Sequence, residues 1–301
     1  MKVLIASNIA EQAIEQLKAN FEVEVSTGLD EDGLAEKVKN FDALVVRSKP
    51  KVSRKIIESG KNLKLVARAG VGLDNIDLKA CEERGIKVIN SPTALSESVA
   101  ELVFAMLLSF ERNIVRSDNT MKDGKWEKNS LKGIEIYEKT LGIIGFGRIG
   151  SHMAKIANGF GMKVFAFDVH KNEELAASLG VKYIEMEDLL RSSDYITLHV
   201  PLIPQTKGMI SMEQLMMMKD SAILINTSRG GIVDEKDLYT ALRDGNIRGA
   251  CLDVFETEPP TDSPLLELDN ILLTPHIGAS TKEAQDKAGL IIAEKIIEEF
   301  K

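Results

Sequence analysis

Apolar positions along this chain fall into two series of the same kind. In the first ninety residues, short apolar runs at Lys2–Ala6, Glu22–Val25, Ala43–Arg47, Leu65–Arg68 and Lys87–Ile89 read as strands. Between them, segments such as Ile9–Ala19 and Leu34–Asn40 repeat apolar residues at helical spacing. Strand–helix alternation of this sort predicts a parallel sheet covered on both faces. A long helical pattern follows from about Ser98 to Asp123. Its most apolar part, Val99–Phe110, is too short for a bilayer and contains Glu101, so it reads as a buried helix. The stretch from Asp123 to Lys139 is polar and loop-like. A second series starts at Thr140 and continues with strands at Lys163–Phe167, Lys182–Ile184, Tyr195–His199, Ala222–Asn226, Gly249–Asp253 and Ile271–Leu273. Six strands in series suit a complete doubly wound domain. Thr281–Phe300 regains helical spacing at Ala288, Ile291, Ile292, Ile296 and Ile297, and is expected to cross back to the first domain.

The second series opens on a local pattern with its own chemistry. The run from Leu141 to Gly150 is an apolar strand, a turn containing Gly145, Gly147 and Gly150, and a helix start at Arg148 and Ile149. Asp168 closes the next strand, eighteen residues after Gly150. This is the dinucleotide-binding fingerprint in the context it requires. Gly145 permits the tight turn, Gly147 lets backbone approach a pyrophosphate, and Gly150 lets helix and strand pack closely. The free N–H groups near Arg148 and Ile149 suit phosphate oxygens. A carboxylate at Asp168 suits ribose hydroxyls and repels a 2′-phosphate, so NAD is expected rather than NADP.

Composition narrows the classes. The 301 residues fit two domains, and 44% hydrophobic with 28% charged content is ordinary for a globular protein. A net charge of −8 argues against broad binding to nucleic acid or anionic membrane. Cys81 and Cys251 lie far apart in no metal-like spacing and read as buried reduced thiols. The chain opens directly on a strand-like run with no signal peptide, so a cytoplasmic protein is expected.

Ligands of open α/β sheets bind beyond the carboxyl ends of the strands. There the second series places Thr227-Ser228-Arg229-Gly230, then Asp253 with Glu258 after it, then Thr274-Pro275-His276-Ile277-Gly278. Read singly, a strand-end histidine or arginine is more often structural than catalytic. An arginine, an acid and a histidine at three consecutive strand ends suit oxidation of an alcohol. The histidine takes the hydroxyl proton, the carboxylate on its far nitrogen fixes the tautomer, and the arginine holds a substrate carboxylate. No metal is required. In the first domain, Arg47 and the glycine loop Arg68–Asn75 stand at the matching edge, where closely spaced glycines expose N–H groups to an anion. That loop also reads as a plain strand–helix turn with Asp74 as N-cap. Met216-Met217-Met218 reads as core filler, His152 and His170 as surface residues, and Trp126 as an anchor for the loop around it.

Together these pieces resemble the D-isomer-specific 2-hydroxyacid dehydrogenases. The likeness runs from about Val45 to Thr281. It rests on the Arg68–Asn75 loop, the Gly145–Gly150 fingerprint, Leu198-His199-Val200-Pro201-Leu202, Asn226-Thr227-Ser228-Arg229-Gly230, Asp253-Val254-Phe255, Glu258-Pro259 and Pro275-His276-Ile277-Gly278-Ala279. The resemblance implies an α/β fold of two doubly wound parallel-sheet domains with a cleft between them. One is a flavodoxin-like substrate domain over 1–97 plus 280–301, the other a Rossmann NAD-binding domain over 98–279. It implies Arg229, Glu258 and His276 as the catalytic trio. Besides the glycine loop and Asp168, cofactor contacts are implied at Val71, His199, Val200, Pro201, Thr206, Thr227, Ser228, Arg229, Asp253, His276, Gly278 and Ala279, with Asp253 on the nicotinamide carboxamide. Substrate contacts are implied at Arg47, Ser48, Gly70, Val71, Gly72, Asn90, Arg229 and His276.

Val46-Arg47-Ser48, the Ala69–Asn75 loop and Asn90-Ser91-Pro92 are most similar to the members that oxidise 3-phosphoglycerate in serine biosynthesis, with Arg47 on the phosphate. Hydroxypyruvate and glyoxylate reductases share much of this, and a co-repressor branch keeps the fold without catalysis. Leu95 departs from the Asn that many phosphoglycerate enzymes carry. The sequence ends at Lys301 without a serine-sensing domain, so feedback through one is not expected. The resemblance also implies a homodimer, with the Val99–Phe110 helix as one contact surface and an inter-domain core as its other reading.

Overall fold

The computed structural model describes residues 1–300 and divides into two compact units, Met1–Leu95 with Ala279–Lys301, and Ser96–Gly278. The first unit has strands β1 (Lys2–Ile5), β2 (Glu22–Val25), β3 (Ala43–Val46), β4 (Leu65–Arg68) and β5 (Lys87–Asn90). All are parallel, in the order β2-β1-β3-β4-β5. β1, β3 and β4 are apolar and almost wholly buried, as strands covered on both faces must be. Leu4, Leu44 and Val66 face one layer with Ile56 and Ile57. Val3, Val45 and Leu65 face the other, which helices Glu11–Lys18 and Lys282–Phe300 cover with Leu17, Ile292 and Ile296. The terminal helix thus packs within the first unit.

The second unit has strands β6 (Thr140–Ile144), β7 (Lys163–Phe167), β8 (Lys182–Tyr183), β9 (Tyr195–Leu198), β10 (Ile223–Asn226), β11 (Gly249–Leu252) and β12 (Ile271–Leu273). They form one parallel seven-stranded sheet, β12-β11-β10-β9-β6-β7-β8. This is the six-stranded doubly wound order with one strand added at the β12 edge. The order reverses between β6 and β9. Beyond their carboxyl ends lie the glycine turn and the Leu198–Leu202 segment.

Several local expectations are corrected. The helical pattern from Ser98 to Asp123 is two helices, Ser96–Glu111 and Ile114–Lys122. Between them Asn113 takes a left-handed conformation at φ 52°, which asparagine tolerates better than most residues. The break has a tertiary cause. The Glu111 carbonyl accepts from Ile134 N at 3.1 Å, and its fully buried carboxylate takes both terminal nitrogens of Arg248. The first helix packs on helix Arg148–Gly159 and buries Val103, Phe104 and Leu107 in its own unit, so that face is already covered. The cap of the helix after the Arg68–Asn75 loop is Asp77, whose side chain accepts from Ala80 N, and not Asp74. Met218 is buried, but Met216 is 59% exposed and fills no core. Trp126 is 78% exposed and does not anchor its loop. Among the described residues, no helix is long and apolar enough to cross a membrane.

Candidate active site

Three loops leaving adjacent strand ends meet in the second unit. After β10, Asn226 folds its own turn. Its carboxamide donates to the Arg229 carbonyl at 2.9 Å and accepts from Ser228 N at 3.0 Å, while the Ser228 hydroxyl donates to the Val200 carbonyl at 2.5 Å. Arg229 Nη1 donates to the Ser228 carbonyl. Gly230 packs directly on the loop after β11, because a Cβ there would lie 1.9 Å from the Phe255 carbonyl oxygen. That loop brings Glu258 to His276. Nδ1 lies 2.8 Å from Oε2 and 3.1 Å from Oε1, and Oε1 also accepts from Phe255 N at 3.2 Å. Against a carboxylate, Nδ1 carries the hydrogen, which leaves Nε2 as an acceptor. Both side chains remain open to solvent, His276 at 48% and Glu258 at 38%.

His276 itself sits at φ 54°, in the left-handed region. For a residue with a Cβ this conformation costs about 1–2 kcal/mol. The force that holds it is the buried carboxylate of Asp253. Oδ1 accepts from the Thr274 hydroxyl at 2.6 Å and Ile277 N at 2.8 Å, and Oδ2 from Gly278 N at 2.8 Å. Hydrogen bonds to a charged group contribute roughly 1.5–3 kcal/mol each, so three outweigh the strain of one residue. Ser98 completes the turn by donating to the Gly278 carbonyl at 2.7 Å. Sequence reasoning gives Ser98 no role, and names Asn226 only as the opening of the Asn226–Gly230 run. Asn226 carries the better signal, an amide immediately before a Thr-Ser-Arg-Gly turn.

The fingerprint residues have distinct roles. Gly145 is at φ 96°, and a Cβ there would meet the His199 carbonyl at 2.6 Å. One on Gly150 would meet the Gly145 carbonyl at 2.7 Å. By contrast, a Cβ on Gly147 meets nothing within 4 Å, so no part of the chain itself requires glycine there. No side chain caps helix Arg148–Gly159, whose first N–H groups include those of Arg148 and Ile149. Both features fit a phosphate at that helix start. Asp168 accepts from Phe146 N at 2.7 Å and His170 N at 2.8 Å, tying the glycine turn to β7 while keeping lone pairs for hydroxyl donors. The buried Thr227 Oγ1 has no partner among the described residues, a further fit to a bound polar group.

Two other residues that the sequence singled out are engaged by their own surroundings. Nε2 of His199 lies 2.9 Å from the Thr197 hydroxyl, and burial pulls its pKa down to about 3, so the ring stays neutral. The Thr206 hydroxyl donates to the Pro201 carbonyl and accepts from Ile203 N at 2.9 Å, closing its own loop.

In the first unit, Arg47 and Arg68 end neighbouring strands. Arg47 Nη1 donates to the Gln285 side-chain oxygen at 3.2 Å and the Asn8 carbonyl at 3.4 Å, both neutral, and burial lowers its pKa. Ser48 beside it is exposed. The glycine loop is held from below. Asn90 donates to the Val71 carbonyl at 2.5 Å and Ser91 N to the Gly70 carbonyl at 2.9 Å, with Gly72 between them and Asn75, whose amide bonds the Arg47 carbonyl at 2.8 Å.

If Asp253 holds the His276 turn, Asp253→Ala strips the buried Gly278 N–H and the partly buried Ile277 N–H of their acceptor. We expect urea unfolding to show a loss of about 3–5 kcal/mol. A loss under about 1 kcal/mol would mean that the turn is held by something else.

Comparison with known proteins identifies the family. The family profile described as D-isomer specific 2-hydroxyacid dehydrogenase, NAD binding domain, matches residues 104–278. A D-3-phosphoglycerate dehydrogenase of Methanocaldococcus jannaschii is 50% identical over 98% of this chain, which spans only 57% of that relative's length. A hydroxypyruvate reductase of Thermotoga maritima is 48% identical over 99% of this chain and 98% of its own. The crystal structure of a D-lactate dehydrogenase from Aquifex aeolicus, complexed with NAD and lactic acid, superposes with a TM-score of 0.85 at 32% identity, covering 98% of this chain and 94% of that one. The chain belongs to the D-isomer-specific 2-hydroxyacid dehydrogenases, and its second unit contains the family's NAD-binding domain.

Proposed function

We propose that this protein oxidises the 2-hydroxyl of a D-2-hydroxy acid, with 3-phosphoglycerate and 3-phosphohydroxypyruvate as its substrate pair. The observation that carries this reading is the His276–Glu258 pair, which presents Nε2 as a proton acceptor on an NAD-binding domain. NAD, when bound, supplies the acceptor for the hydride that leaves C2. His276 takes the hydroxyl proton as the C2–O bond becomes a carbonyl, and Glu258 stabilises the imidazolium that results. Arg229 holds the substrate carboxylate and polarises the oxygen at C2. In the first unit, the Gly70–Gly72 backbone offers N–H groups to an anionic substrate group. Arg47, resting on neutral oxygens, keeps its charge for the phosphate. For the cofactor, the helix start at Arg148 and Ile149 takes the pyrophosphate. Asp168 takes the ribose hydroxyls and selects NAD over NADP. Thr227 and Asp253, whose Oδ2 carries a single bond, face the nicotinamide amide. Of the remaining implied contacts, Val200, Pro201, Ser228 and Gly278 follow strand ends of the second unit, while Val71 and Ala279 belong to the first. This chemistry would serve serine biosynthesis in the cytoplasm.

Hydroxypyruvate reduction is the second reading, favoured by the near-complete length match to the Thermotoga maritima reductase. A homodimer is also proposed. Helix Ile114–Lys122 buries none of its residues, and Ile114, Val115, Met121, Trp126 and Tyr137 are all more than half exposed. Large apolar side chains left open to solvent gain by being covered, as a subunit interface would cover them.

Two measurements test these readings. Absorbance at 340 nm should rise with NAD and 3-phosphoglycerate, and His276→Ala should lower kcat by at least about a hundredfold while NAD binding survives. Arg47→Ala should lower kcat/KM by about a hundredfold for the phosphorylated substrate only, since a charge-assisted bidentate contact contributes about 2–3 kcal/mol. Unchanged turnover in His276→Ala refutes the mechanism, and faster turnover of hydroxypyruvate with equal sensitivity to Arg47→Ala selects the second reading. Sedimentation equilibrium should return twice the chain mass of 33.1 kDa, and a monomer mass would rule the dimer out.

A further inference from the structure

Glu258 reaches His276 only because the loop from Phe255 to Pro259 holds a fixed course, and that loop is exposed from Glu256 to Pro259. Besides the Phe255 N–H on Glu258 itself, two contacts from outside the loop set the course. Gly230 presses against the Phe255 carbonyl, a fit that only glycine allows. On the other side the Glu256 N–H donates to Glu235 Oε1 at 2.5 Å. Glu235 is the first residue of helix Glu235–Arg243, whose N-cap is Asp234. Its carboxylate occupies a poor place for a charge. Burial raises its pKa, and the neighbouring Glu256, Asp234 and Glu258 raise it further, while the Glu256 N–H works in the opposite sense. A helix start does not require glutamate at this position, because Asp234 already accepts from Lys236 N and Asp237 N at 3.0 Å. What the Glu235 side chain adds is the anchor on Glu256.

We infer that Glu235 is a positioning residue for the reaction, fixing the Phe255–Pro259 loop through the Glu256 amide so that Glu258 stays against His276. The inference rests on the functional reading given above. It separates Glu235 from a merely structural residue, because its effect must pass through Glu258. Removing the anchor then matters only while Glu258 is present, and an isosteric acceptor restores it.

The test uses Glu235→Ala, Glu235→Gln, and Glu235→Ala combined with Glu258→Ala. Glu235→Ala should lower kcat about tenfold, the scale expected for a small displacement of a reacting group, with KM for NAD unchanged. Glu235→Gln keeps a side-chain oxygen toward Glu256 and should stay within about threefold of the parent. In the Glu258→Ala background, Glu235→Ala should cost less than about twofold more, as residues acting as one unit are non-additive. A second readout needs no substrate. Amide exchange at Glu256 should quicken about tenfold or more in Glu235→Ala and stay parent-like in Glu235→Gln. Unchanged exchange in Glu235→Ala overturns the anchor. An undiminished tenfold loss in the Glu258→Ala background overturns the positioning role, as does a Gln variant as impaired as Ala. If the parent turns over no hydroxy acid, the functional reading fails while the exchange result still decides whether Glu235 holds the loop.

Discussion

The site depends on one buried carboxylate. Asp253 holds three donors from the turn that carries His276, and in doing so keeps that histidine in a left-handed conformation it would otherwise leave. The strain is small beside three charge-assisted hydrogen bonds, so the turn has one stable geometry. Everything outward of Asp253 follows from that geometry. It sets where the imidazole stands, and therefore where Glu258 has to be to meet Nδ1, and where the loop after β11 has to run. The sheet makes this arrangement compact, because β10, β11 and β12 are adjacent and parallel and deliver their loops to one edge.

The parts legible in the sequence were those written in local pattern. Strand periodicity located all twelve strands to within a residue or so, and the glycine turn with Asp168 identified the nucleotide half before any coordinate was needed. Arg229, Glu258 and His276 are candidates in the sequence because each follows a strand end, and parallel topology brings the loops after adjacent strands to one edge of the sheet, where Glu258 meets His276. What failed to show depended on partners far along the chain. The break after Glu111 reflects Arg248, more than a hundred residues away, and nothing in the Val99–Asp123 periodicity announces it. The clamp formed by Asp253 links residues more than twenty positions apart, so the residue could be noticed but its grip on Thr274, Ile277 and Gly278 could not.

Two errors share another cause. Asp74 and Asp77 are both plausible caps, and only the course of the Leu73–Ile76 turn selects the second. An indole at position 126 suggests an anchor because it is apolar, but apolarity says only that a side chain gains by being covered, not by what. Trp126 is exposed, as are Ile114, Val115 and Tyr137. Gly147 shows the opposite case. The sequence argument that it serves a ligand is strengthened by the open space around it, since the chain itself has no steric need of glycine there.

The central claim is that an imidazole fixed against Glu258 accepts the substrate proton. Its most direct test is kcat for alcohol oxidation in Glu258→Gln, whose amide oxygen can still accept from Nδ1–H but carries no charge. The account predicts a kcat lowered about tenfold or more with the KM for NAD unchanged, because the imidazolium formed in the reaction loses its carboxylate partner. A Glu258→Gln variant that turns over as fast as the parent would contradict it.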